Sequence, residues 1–170
     1  ESNSSAGLWE RAIPNATFYE GQDVQPGYDH SSDGDYCFVT GNGVSNSVGF
    51  DDVDAGSTIL YSPIYDLSDY STYIVSYWRW YTNNVGDNPG NDLWKVEISN
   101  NGGNSWSSLE VTSQTDNFWK NIQLVMNSDL FDFTDQMQFR FIAEDIQYPG
   151  DSGSGGSIVE AALDDFSILV

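Results

Sequence analysis

One cysteine and one histidine stand in 170 residues, alongside only five basic side chains. A single thiol rules out an intrachain disulfide, so the fold must rest on a packed core. With one Cys and one His a transition-metal site has no ligand set. Cys37, next to Phe38 and Val39, reads as a small buried hydrophobe and not as a nucleophile. No apolar run reaches the roughly 18 residues of a membrane span. No helical period lasts the roughly ten residues that a helix needs. Five bases against 26 acids give a formal net charge of −21. That balance excludes nucleic acid, whose phosphates need a basic footprint, and disfavours an anionic membrane surface.

What is present is turn chemistry and aromatic bulk. Sixteen glycines punctuate the chain, and ten Tyr, nine Phe and six Trp supply large rings for a core between stacked sheets. Short alternating segments predict strands near 16–20, 36–40, 57–63, 71–82, 92–99, 105–111, 118–125, 136–144 and 157–169. Asn100-Asn101-Gly102-Gly103 is a hairpin signal. Loops are expected at 86–91 and at 149–156. Nine strands without intervening helices predict an all-β, jelly-roll β-sandwich of two antiparallel sheets. Residues 7–170 read as one domain, behind linker residues 1–6. Nothing at the start reads as a signal peptide, so a module cut from a larger secreted chain is expected.

Alternation assigns faces. Met137, Phe139, Phe141 and Ala143 share one side of their strand, opposite Gln136, Gln138, Arg140 and Glu144. Trp94, Val96 and Ile98 oppose Lys95 and Glu97. Along 71–82, Ile74, Trp78 and Trp80 are assigned to the core, which leaves Tyr73, Val75, Tyr77, Arg79 and Tyr81 outward. Three of the five cations thus fall on one non-core face. Tyr77, Arg79, Tyr81, Lys95, Glu97, Gln138 and Arg140 form the expected ligand-binding set, on a concave sheet face. Tyr rings cover the apolar face of a pyranose, while Arg, Gln and Glu fix its hydroxyls. The same residues also admit plain cross-strand ion pairing, Glu97 with Arg79 or Arg140. Trp106 and Trp119, each after a turn, read as packing anchors.

Two acidic runs, Asp29 to Asp35 and Asp51 to Asp54, offer the hard oxygens that calcium takes. The chain also nears its end with Asp164-Asp165. Asp29, Asp33, Asp35, Asp52, Asp54, Asp164 and Asp165 are the candidate ligands, and calcium is the expected cofactor. Catalysis has little to stand on. His30 lies in an acidic turn, and no nucleophile elbow, zinc-binding helix or phosphate loop is present. No catalytic residue is expected.

Three stretches together carry a resemblance. Gly56 to Ser68 (GSTILYSPIYDLS) resembles the L-x-S-P-x-x-D-L strand of MAM-like and cleaved-adhesin-like jelly rolls. Asn91 to Trp106 resembles their D-x-L-x-V-x-x-S-x-D-G-G-x-x-W hairpin, with Asn101 where many relatives have Asp. Ala162 to Ile168 resembles their closing A-L-D-D-x-x-I. The likeness spans roughly residues 35–170. It implies an accessory module of a secreted bacterial protein, with calcium tying an early loop to the last strand through Asp164 or Asp165. The disulfides of animal MAM domains are absent, which speaks against a receptor ectodomain.

The expectation is therefore a secreted, non-catalytic module, tethered to a larger enzyme, that binds a polysaccharide. The alternative is a protein-binding or adhesive module of an extracellular peptidase or adhesin. An aromatic groove separates the first from the second, which needs a broad apolar patch or a free strand edge.

Overall fold

The computed structural model describes residues 1–43, 48–147 and 157–170. Among them there are eleven strands and no helix. β1 (Trp9–Ala12), β4 (Cys37–Thr40), β11 (Ser157–Leu169), β6 (Thr72–Gly86) and β9 (Asp116–Asn127) form one sheet in the order β1-β4-β11-β6-β9. β5 (Gly56–Tyr61), β10 (Gln138–Asp145), β7 (Trp94–Ser99) and β8 (Ser107–Thr112) form a second, in the order β5-β10-β7-β8. β2 (Thr17–Tyr19) and β3 (Gln22–Gln25) make a separate ribbon. The pairings are all antiparallel. All nine expected strands are present, and the 100–103 hairpin joins β7 to β8. The expected loop at 149–156 lies outside the described residues.

The core forms where the two inner faces meet. Trp94, Val96 and Ile98 of β7 and Phe139, Phe141 and Ala143 of β10 are buried there, as their alternation predicts. Opposite them lie Val159, Ala161 and Leu163 of β11, with Tyr73, Val75, Tyr77 and Tyr81 of β6. The expected facing of β6 is therefore inverted. Tyr77, Arg79 and Tyr81 point between the sheets and are at most 1% exposed. The reason is that both faces of β6 are covered, with no fully exposed residue from Tyr73 to Asn83. Its other side, with Trp78 and Trp80, carries a second apolar cluster with Cys37, Val39, Trp119 and Ala162. The β2–β3 ribbon and the segment after it pack on this cluster. Trp80 Nε1 donates to Val24 O at 2.7 Å, and Trp119 Nε1 to Tyr28 O at 3.1 Å. A strand buried on both sides has no polar face to betray its register.

Cys37 is free and buried, and burial pushes its thiol up to about 12. The first residues run along β5. Asn3 N and Ser4 N donate to Ser57 O, Ser2 Oγ accepts from Ile59 N, and Ala6 bridges Asp54. They cover the free edge of β5. Gly7 sits in left-handed backbone at φ 69°, where a Cβ would lie 2.4 Å from Val53 Cα. Only glycine lets the N-terminal segment press this closely onto the 51–54 loop.

Candidate functional site

The two outer faces differ. The five-stranded sheet carries the ribbon, whereas the four-stranded sheet presents Lys95, Glu97, Gln138, Arg140 and Glu144, all partly exposed. Register places these side chains in rows across the strands. Tyr61 pairs with Arg140, Arg140 with Glu97, and Glu97 with Ser108. Beside that row runs a second, Ile59–Ile142–Lys95–Val111. Each row crosses four strands, a span of roughly 14 Å at the usual strand spacing of about 4.8 Å.

Aromatic walls stand at this face. The Trp106 ring lies over the Arg140 guanidinium, 4.3 Å from its carbon to the ring centroid, a cation–π contact. Tyr61 is 42% exposed, and its ring centroid is 5.9 Å from that of Trp106, with planes tilted by 54°. Trp106 is held there because the hairpin doubles back onto the sheet. A Cβ on Gly103 would come within 3.0 Å of Gln138 Oε1 and 3.3 Å of the Trp106 ring. Trp106 Nε1 then donates to Gly103 O at 3.1 Å.

Polar groups on the face are already oriented. Arg140 Nε donates to Glu97 Oε2 at 2.6 Å, Lys95 Nζ to Glu144 Oε1 at 2.6 Å, and Gln138 Nε2 to Ser62 O at 3.0 Å. Both cations of the face thus have a carboxylate partner. The surface combines fixed donors and acceptors with two rings but has no uncompensated positive charge.

Of the expected ligand set, Lys95, Glu97, Gln138 and Arg140 share this face, whereas Tyr77, Arg79 and Tyr81 belong to the core. Arg79 pairs with Glu110 and Asp116 between the sheets. Tyr77 also donates to Glu110, as does Trp94 Nε1 at 3.0 Å. Sequence reasoning missed Tyr61 and Trp106. Alternation along β5 (Gly56, Thr58 and Leu60 inward, Tyr61 outward) carries the signal for the first. Nothing local reveals that Trp106 folds onto β10.

The candidate calcium residues divide between two places. Asp164 Oδ2 accepts from His30 N at 2.9 Å, and Asp165 Oδ2 lies 2.7 Å from His30 Nδ1. The His30 ring stacks on Trp78 with centroids 3.6 Å apart. These contacts fasten the 29–35 segment to the last strand, with Asp29 buried and Asp33 and Asp35 exposed. Asp52 and Asp54 instead are buried at the far side of the N-terminal segment. There the charges of Asp54 and Asp145 act on Asp52, and those of Asp52 and Asp51 act on Glu160. Asp52 Oδ1 and Glu160 Oε2 are buried with no hydrogen-bond partner. Among the described residues, no three acidic, His or Cys side chains are grouped closely enough to hold a metal.

Burial, reinforced by neighbouring charge, pushes Asp52 up to about 7 and Glu160 well above the carboxylate range. In the unfolded chain both ionise near pH 4. The folded state therefore binds more protons than the unfolded one from about pH 4 upward, and stability falls as pH rises. Asp52 contributes to that fall until about pH 7, and Glu160 beyond it. In metal-free protein the urea midpoint is expected to be lower at pH 7.5 than at pH 5. An equal or higher midpoint at pH 7.5 contradicts this reading of the two acids.

No family model matches the chain, and no curated protein matches it. Among solved structures, TmCBM61 in complex with β-1,4-galactotriose superposes with a TM-score of 0.52 at 14% identity, over 99% of this chain and 86% of that one. The CBM22-1 xylan-binding domain from Paenibacillus barcinonensis Xyn10C gives a TM-score of 0.39 at 15% identity, over 99% and 92%. With the topology above, the first likeness shows the fold, a jelly-roll β-sandwich of two antiparallel sheets.

Proposed function

We propose that this domain is a non-catalytic carbohydrate-binding module that takes a polysaccharide on the outer face of its four-stranded sheet. The observation that carries the reading is the Tyr61–Arg140–Glu97 row beneath Trp106. Rings cover the CH faces of pyranoses, and hydroxyls exchange with the oriented polar groups of Arg140, Glu97 and Gln138. A row of roughly 14 Å accommodates more than one ring. TmCBM61, which shares the fold, was solved with an oligosaccharide, and this supports the reading. The secreted location and a place beside the other domains of a larger enzyme belong to the same proposal.

Affinity electrophoresis through neutral, uronic and sulfated polysaccharides tests it. Retardation by one class is the expected result. Free migration through all of them contradicts glycan binding and moves the assignment to an extracellular protein partner.

Calcium is the second part of the proposal. The donor chemistry fits, because Asp52 Oδ1 and Glu160 Oε2 are hard, buried oxygens without a partner, in a setting that penalises their charge. Asp52 and Glu160 would each contribute a carboxylate oxygen, and main-chain oxygens and water would supply the rest of the shell. A bound dication would supply the charge that lets these acids ionise inside the fold. At a hundredfold excess over its dissociation constant it stabilises by about 2.7 kcal/mol. For a chain of this length that raises Tm by roughly 5–10 °C at pH 7.5. The same melt in calcium and in chelator, after verified removal of metal, contradicts a stabilising ion.

A further inference from the structure

A cleft opens on the side of the sandwich, beyond the Tyr61 edge of the outer face. β4 pairs with β11 only at Ala162 and Leu163. Beyond them β11 shifts register between Asp164 and Ser167, with Asp165 in left-handed backbone at φ 50°. Such a bulge bends the strand and re-aims its side chains. Here Phe166 turns toward the core, where it meets Phe139 and Phe141.

The space left has a volume of about 240 Å³ and is lined by Arg11, Tyr36, Phe38, Leu163, Asp165 and Phe166, among others. That is short of the roughly 300–1,000 Å³ of a pocket for a drug-sized ligand, a size that suits one sugar ring. A smaller apolar lobe of about 150 Å³ shares Phe38, Leu163 and Phe166 with it and reaches Tyr61. Tyr36 is 49% exposed and Phe38 37%, so two aromatic side chains are left at the mouth.

Arg11 is the unusual member. Arg79, Lys95, Lys120 and Arg140 all pair with carboxylates. Among the described residues Arg11 is the one basic side chain without such a partner, in a chain with 26 acids. Its guanidinium instead lies over the Tyr36 ring, 4.9 Å from the centroid. Stacked this way, a guanidinium keeps its fork of donors available. Asp165 accepts from His30 through one oxygen, and a carboxylate has capacity for more than one donor.

From this combination we infer that the side cleft is a second saccharide subsite, which takes a single neutral pyranose, as a chain terminus or a side branch. The ring's CH face meets Phe38 and Tyr36, Arg11 donates to its hydroxyls and Asp165 accepts from them. A neutral sugar is favoured over a uronate because Asp164 and Asp165 line the same wall. The inference extends the saccharide-binding reading to a site that does not share its polar residues.

The test is chemical-shift mapping of the ¹⁵N-labelled chain with free glucose, galactose, xylose and mannose, then with β-1,4-linked trisaccharides of the same sugars. The expected result is saturable shifts at Arg11, Phe38 and Asp165 with at least one monosaccharide. In Arg11→Ala, an exposed position, the midpoint should rise about tenfold, the worth of one charged hydrogen bond. Tyr36→Ala provides a second variant of the same wall. Shifts confined to Lys95, Glu97 and Gln138 overturn the side subsite and leave the outer-face reading standing. Shifts confined to the cleft support the subsite and remove the outer face. No shift with any sugar overturns both.

Discussion

Arg79→Ala is expected to cost about 3–5 kcal/mol, a large share of the stability of a domain this size. The guanidinium lies between the sheets with its side chain 2% exposed, paired to Glu110 and Asp116. Glu110 also accepts from Tyr77 and Trp94, and Lys120 Nζ donates to both oxygens of Asp116 at 3.1 Å. Glu110 belongs to the four-stranded sheet and Asp116 to the five-stranded one, so Arg79 ties the layers together. Removing it leaves Glu110 without a cationic partner and Asp116 with Lys120 alone, in a medium that penalises uncompensated charge. The melting temperature should fall by on the order of 10 °C or more. Arg79→Met combined with Glu110→Gln should recover part of that loss, since it deletes charge on both sides. A single variant within about 1 kcal/mol of the parent in urea titration removes the network from the account of stability.

Arg140→Ala is expected to do the reverse, abolishing glycan retention while leaving the fold intact. Its side chain is 22% exposed and that of Glu97 21%, so the pair sits at the water boundary. Ion pairs there contribute about 0–1 kcal/mol to stability. Binding is another matter, because Arg140 supplies planar donors at the centre of the row and a face for Trp106. Losing its charged hydrogen bonds to hydroxyls should weaken binding tenfold or more. Arg140→Lys keeps the charge but not the planar fork, and should rescue binding only in part. A well-folded Arg140→Ala protein that is retarded as strongly as the parent takes Arg140 out of the site.

The contrast between these two arginines shows how far sequence alone reaches. Both alternate with apolar residues along a strand, and alternation alone assigns both to one face. For β10 the placement holds, because Gln138, Arg140 and Glu144 face water while Phe139 and Phe141 do not. For β6 it fails, because Trp80 lies under the ribbon and Trp78 under His30, and no local pattern announces either docking. The strand positions and the sandwich were legible since turn residues and period-two runs are local signals. Register across sheets was not, and the Tyr61–Trp106 wall depends on it. The same holds for the acids: Asp52 was visible in its run, but Glu160, more than a hundred residues away, meets it only through β11. Residues 2–6 carry no apolar run, and their bonds to β5 come from the Asn3 and Ser4 main-chain N–H groups and from the Ser2 and Asn3 side-chain oxygens.

If the outer face of the four-stranded sheet is the glycan surface, binding must depend on its two rings, Tyr61 and Trp106. Isothermal titration of the Tyr61→Ala/Trp106→Ala variant with a polysaccharide that retards the parent tests it most directly. Both rings are partly exposed, so a native melt and circular dichroism spectrum are expected to accompany loss of detectable heat. Undiminished binding by that folded variant would place the glycan elsewhere and contradict the account.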